Sequence, residues 1–179
     1  MDAVRLAWAG TDGDRAHRRE VAWELLRGLL GATGSPDAEL SNPCARCGGP
    51  HGAVQVTGAP WRASVSYAGA VAVVAIHPGA EVPFGIDAEP VADAVRDAAG
   101  GAPGGLLRWV RAEAALKADG RGLRVEPALV DIAEAEGGWT AVVPGIRERF
   151  HGRELDGPPG VLVSAATGAA AAPDRRATP

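Results

Sequence analysis

The chain has 179 residues, 46% of them hydrophobic, enough for one domain with a real core or for two small fused lobes. A formal net charge of −4 and a pI near 5.6 argue against a general binder of nucleic acid or of an anionic membrane surface. No apolar run approaches the ~20 residues of a membrane span, and two cysteines cannot build a disulfide framework. The first residues lack a basic start followed by an apolar core, so no signal peptide is expected and the protein is read as cytoplasmic.

Val4 to Ala9 reads as a first strand leaving through Gly10-Thr11-Asp12-Gly13. Asp14 is placed to cap a helix that begins near Arg15, carries Val21, Ala22, Leu25, Leu26, Leu29 and Leu30 at helical spacing, and ends at Gly31 or Gly34. Arg15, Arg18, Arg19 and Arg27 fall on its polar side, either as a solvated face or as a basic rim for a phosphate. Residues 32–60 are rich in proline and glycine and read as loop. Within them, Cys44, Cys47 and His51 offer three zinc ligands. A structural zinc site takes four, and no second pair exists, so the cysteines are expected as small packing residues beside a turn.

Trp61 to Ile76 is strand-like, with a turn at Ala68-Gly69 and a buried run from Val71. Phe84 to Glu89 is the next strand, and Pro90 to Gly105 is expected to be weakly structured. Leu106 to Ala118 reads as a helix, with Gly120 as its left-handed cap. Ala128 to Glu136 and Trp139 to Val143 read as a hairpin turning at Gly137-Gly138, and Val161 to Ala165 as a last strand. Strand, helix and further strands follow one another twice, with a division near residue 80; residues 1–80 and 81–166 are read as two lobes and 167–179 as a disordered tail.

The chemistry concentrates between residues 84 and 117. Asp87 and Glu89 sit two apart on a strand and so point the same way. Glu113 and Lys117 sit four apart on the helix and share a face with Leu106 and Val110, an apolar stripe that carries both charges inward. Buried charges need partners, and three carboxylates with one ammonium suit a hard divalent cation that holds a phosphate. Of the 18 basic residues, 17 are arginine, and Lys117 is the single lysine. Lysine is a compact point charge, not interchangeable with arginine.

Four segments, in order, resemble the Sfp-type 4′-phosphopantetheinyl transferases: CARCGGPHG from Cys44, SVSYAG from Ser64, FGIDAEP from Phe84 and WVRAEAALKADGRGL from Trp109. The resemblance implies an α+β fold of two pseudo-symmetric lobes with coenzyme A in the cleft between them, and a monomer. It implies magnesium held by Asp87, Glu89 and Glu113, and transfer of the phosphopantetheine arm of coenzyme A to a serine of an acyl or peptidyl carrier protein, with release of 3′,5′-ADP. Glu113 would take the serine proton, Lys117 would stabilise the departing phosphate, and Ser66 would lie near the coenzyme's 3′-phosphate. Tyr67 and His51 fall at coenzyme-facing motif positions.

The chain departs from the family's pattern at several of these positions. Tyr67 replaces a histidine, Ala53 a basic residue, Ala112 a lysine, and Trp23 an arginine of the first helix. Arg46, Arg62 and Arg111 are the candidates to replace that charge. Only 19 residues separate Glu89 from Trp109, where the family carries a longer segment that contributes to carrier docking. An impaired or repurposed homologue that binds coenzyme A or a carrier without transfer is the alternative reading.

Overall fold

The computed structural model describes residues 3–169. They form a mixed α+β structure whose strand–helix–strands order occurs twice. In the first half, β1 (Arg5–Gly10) is followed by α1 (Arg15–Ala32), a small hairpin of β2 (Glu39–Ser41) and β3 (Gln55–Thr57), then β4 (Trp61–Ala68) and β5 (Val71–Pro78). In the second half, β6 (Phe84–Pro90) is followed by α2 (Ala94–Ala98), α3 (Leu106–Asp119) and the strands β7 (Asp131–Ala135), β8 (Gly138–Val142), β9 (Arg149–Leu155) and β10 (Val161–Thr167).

The sheet orders are β1-β5-β4 and β6-β10-β9-β8-β7, antiparallel throughout, so each half pairs its first strand with its last. A helix then covers that strand pair: α1 lies on β1 and β5, and α3 lies on β6 and β10. The central strand β5 is buried on both faces, which is why Val71 to Ile76 is an unbroken apolar run. Its Ala72, Val74 and Ile76 meet Ala22, Leu26 and Leu30 of α1. Val73 and Ala75 face the other way and share a core with Phe84, Ile86, Ala88, Val163 and Ala165 from the second sheet. A further core packs Ala112, Ala115 and Leu116 of α3 against Trp139, Ala141, Val143 and Phe150.

The edge strands β4 and β6 meet through side chains. Ser64 Oγ accepts from the backbone N–H of Ile86 at 3.0 Å, and Ser66 Oγ accepts from that of Ala88 at 3.2 Å. Two hydroxyls thus satisfy backbone donors on the edge of β6, which would otherwise be buried without a partner.

Several expectations are met. Asp14 caps α1 by accepting from Ala16 and His17 at 2.9 Å each, and Gly120 caps α3 with φ +81°. Five segments differ. The loop-rich span 32–60 holds the β2–β3 hairpin. The link after Pro90 contains α2, capped by Asp93, which accepts from Val95 and Arg96. Residues 127–129 form a 3₁₀ turn started by Pro127, so β7 begins only at Asp131. The unassigned strand β9 completes the second sheet, and Gly152 lies beneath the Trp139 indole, where a Cβ would overlap the ring. Thr167, read as the start of the tail, is paired in β10 with Phe84 and His151; residues 170–179 lie outside the described residues. Among the described residues no helix is long and apolar enough to cross a membrane.

Candidate active site between the strand-6 carboxylates and helix 3

Gly85 sets the site. A Cβ there would lie 2.5 Å from Ala114 O and from Ala118 N, and 2.8 Å from Lys117 Cβ, so the α3 backbone rests directly on β6. Alternation along β6 turns Phe84, Ile86 and Ala88 into the core and leaves Asp87 and Glu89 on the helix-facing side. Close approach of α3 then brings Lys117 and Glu113, one turn apart, onto these two acids.

Lys117 Nζ donates to Asp87 Oδ1 at 2.7 Å and to Ser66 Oγ at 2.9 Å. The Ser66 hydroxyl donates to the same Asp87 oxygen at 2.9 Å. Asp87 and Glu113 are only 5% and 8% exposed, which makes the environment of each charge decisive. Asp87 Oδ2 and Glu113 Oε1 are buried acceptors with no hydrogen-bond partner among the described residues. Burial, then the charges of Asp87 and Glu89, raise the pKa of Glu113 against the pull of Lys117. Burial and Asp87 likewise raise that of Glu89, opposed by Arg96 and Lys117. Each carboxylate therefore feels the others, and among the described residues Glu113 has no ion pair within 4.0 Å.

Arg96 belongs to this site and was not anticipated. Its guanidinium donates to the carbonyls of Pro90 at 2.7 Å and Val91 at 3.1 Å, and lies 4.0 Å from Glu89 Oε2. The signal in the sequence is Asp93, whose cap starts the short helix that swings Arg96 back over the strand end. Ser64 was also passed over; its hydroxyl bonds the strand edge two residues before Ser66.

The three acids act on one another electrostatically, while among the described residues the donor atoms that gather within 4.8 Å of one another belong to Cys44, Cys47 and His51. Asp87 and Glu89 each face a separate cation of the chain, Lys117 and Arg96. The donor set nevertheless fits a hard divalent cation such as magnesium. Every candidate ligand atom is an oxygen, and two of them are buried acceptors still to be satisfied.

The remaining expected coenzyme contacts are dispersed. Ser66 is buried in the carboxylate cluster, its hydroxyl committed to Asp87, Lys117 and the Ala88 N–H. Tyr67, its neighbour, faces the opposite side of β4, where Arg18 stacks 4.8 Å from the ring centre and Arg18, Arg19 and Arg15 offset part of the burial that raises the phenol pKa. Arg62 is half-buried and shares the face of Ser64 and Ser66 by alternation. Arg46 and His51 are exposed in the cysteine loop, where Cys47 Sγ lies 3.0 Å from His51 Nε2. Arg111 is not free to replace a lost coenzyme contact. It is buried between Glu154, at 2.8 and 3.2 Å, and Glu134, with Trp139 beneath it. Ala112 lies in the core, and Trp23 joins Arg19, Leu40, Asn42, Pro43 and Pro50 around a groove of about 310 Å³ that no carboxylate lines.

The cysteines are not packing residues. Cys47 is exposed and Cys44 half-exposed, because the loop turns its sulfurs toward His51 and away from a core.

Fold and site together define a mixed α+β protein with a buried carboxylate–lysine cluster where its two larger sheets meet. No family model matches the chain, and no curated protein matches it.

Proposed function

We propose that the protein transfers the 4′-phosphopantetheine arm of coenzyme A to a serine of an apo carrier protein, releasing 3′,5′-ADP. The observation that carries this reading is the meeting of Asp87, Glu113 and Lys117 with two buried carboxylate oxygens unsatisfied. The doubled strand–helix–strands order supports two pseudo-symmetric lobes.

Asp87, Glu89 and Glu113 would hold magnesium, which supplies charge neutralisation to the pyrophosphate when bound. Glu113, its proton affinity raised by burial and by Asp87, suits a base that takes the proton of the attacking serine hydroxyl. The serine oxygen forms the new bond to the pantetheine-side phosphorus. The bond from that phosphorus to the bridging oxygen breaks, and the electron pair leaves on 3′,5′-ADP. Lys117 offers the ammonium that offsets this departing charge, while Ser66 keeps it oriented against Asp87. The groove beside Arg19 and Trp23 offers a guanidinium and an indole, groups suited to a phosphate and a base.

A second reading, binding of coenzyme A or a carrier without transfer, is favoured by the direct Lys117–Asp87 bond and by Ala53 and Ala112 where cations are expected. The experiment that separates the two incubates the protein with coenzyme A, magnesium and apo carrier proteins, and follows the carrier by mass. A phosphopantetheine increment that disappears in Asp87→Ala and Glu113→Ala supports transfer. Coenzyme binding by calorimetry with no increment on any carrier supports the second reading, and an increment that persists in both variants rejects the site.

A further inference from the structure

The segment Cys44–His51 caps the open end of the β2–β3 hairpin and is held by its own backbone. Cys44 N donates to Gly49 O and Gly48 N donates to Cys44 O, each at 2.8 Å, and His51 N donates to Gly49 O at 2.9 Å. Gly48 takes φ +71°, open to glycine at little cost. Gly52 N reaches Asn42 O at 2.8 Å, and at Gly52 a Cβ would sit 2.9 Å from Cys44 Cα, so the two arms cross without room for a side chain. This looped backbone turns both sulfurs and one imidazole nitrogen toward a common point.

We propose that Cys44, Cys47 and His51 bind one zinc ion, with its fourth position open to water or to an exogenous ligand. Their donor atoms all lie within 4.8 Å of one another, and Cys47 Sγ lies 3.0 Å from His51 Nε2. Metal–sulfur bonds of about 2.3 Å and metal–nitrogen bonds of about 2.0 Å at tetrahedral angles place such atoms roughly 3.5–3.8 Å apart, inside the range the loop already spans. Two thiols and an imidazole form a borderline-soft set that favours zinc over the oxygen-seeking magnesium of the carboxylate cleft. Binding releases the thiol protons to solvent, and no redox step is involved. Three protein ligands leave the ion incompletely enclosed, unlike a closed four-ligand structural site. The inference does not depend on phosphopantetheine transfer.

The test uses the full chain, reduced, stripped of metal by chelator and held in excess magnesium so that the carboxylates do not compete. Cobalt(II) is titrated as a spectroscopic probe, followed by zinc(II) against a chromophoric competitor. The expected result is one equivalent of cobalt with thiolate-to-metal charge-transfer and tetrahedral d–d bands, all displaced by zinc. Cys47→Ser and His51→Ala, both at exposed positions, should weaken zinc at least about 100-fold while leaving the circular dichroism unchanged. Asp87→Asn should leave zinc affinity unchanged. Absence of the thiolate band, zinc affinity in the two loop variants equal to that of the unaltered chain, or a Cys44–Cys47 disulfide that persists under reductant with no metal bound would each overturn the proposal.

Discussion

Lys117 Nζ lies 2.7 Å from Asp87 Oδ1, and Ser66 Oγ completes a triangle with both. The acid is nearly excluded from water, while the lysine side chain keeps 29% of its exposure. Removing the ammonium by Lys117→Met should therefore leave a buried carboxylate with only a hydroxyl for company. The expected cost is about 3 kcal/mol, near the lower end for breaking a buried pair, because the lysine is part-solvated. Urea denaturation at neutral pH measures it. Asp87→Asn in the same background should recover part of the loss, since the residual charge is then gone; no recovery would mean the pair does not interact as described.

Gly85 should tolerate no side chain. Gly85→Ala forces the α3 backbone off β6, because the atoms it meets are a carbonyl and an amide rather than a flexible side chain. A loss of about 1–3 kcal/mol is expected and, on the proposed function, a loss of transfer as well, since Lys117 and Glu113 ride on that helix. Gly28→Ala is the opposite case. It lies in α1 with nothing near its Cβ position, and should raise stability by about 0.5–1 kcal/mol. Thermal melting of the two variants compares them directly.

The pH dependence follows from the carboxylates. Glu113 and Glu89 both have folded-state pKa values above the ordinary 4.5, so the folded state binds their protons more tightly than the unfolded chain does. Stability from these groups is complete below about 4.5 and is lost as pH rises through the raised values. The metal-free protein should therefore melt at a higher temperature on modest acidification from neutral pH. Glu113→Gln should flatten that slope, and magnesium should lift the melting temperature most at the high-pH end. Melting curves across pH with and without magnesium supply the check; a slope unchanged in Glu113→Gln would remove Glu113 from the buried cluster.

Glu154 behaves with the opposite sign. Burial raises its pKa, but the Arg111 hydrogen bond and charge, with Ser164, outweigh it and leave it lowered. Its contribution is present above the ordinary carboxylate value and is lost as pH falls through the lowered one. Arg111→Met should cost about 1–2 kcal/mol at neutral pH, less than a fully buried pair because Glu154 and above all Glu134 keep contact with water, and should cost less in strong acid. Denaturation of the variant at neutral and acidic pH tests this.

How much of this was legible in the chain depends on what each residue answers to. Local spacing alone specified α1, α3 and the strands around Ser66 and Asp87, because each buries one continuous stripe or run against a neighbour. The same spacing put Asp87 with Glu89 and Glu113 with Lys117. Short elements escaped it. The three-residue strands β2 and β3 lie among prolines and glycines, and β9 shows only Phe150 and Gly152 inward, a pattern that makes sense only once the Trp139 ring is known to cover Gly152.

The sequence by itself determined which charges exist, their order along strand and helix, and a glycine at position 85 that lets the two approach. Tertiary structure alone decided who pairs with whom. Lys117 meets Asp87 across 30 positions of chain, Arg96 folds back onto Glu89, and Arg111 is drawn away to Glu134 and Glu154. The physical reason is that a charge entering a low-dielectric interior must be satisfied by whatever partner the packing brings within a few ångströms, and that choice is made by the whole fold rather than by neighbouring residues.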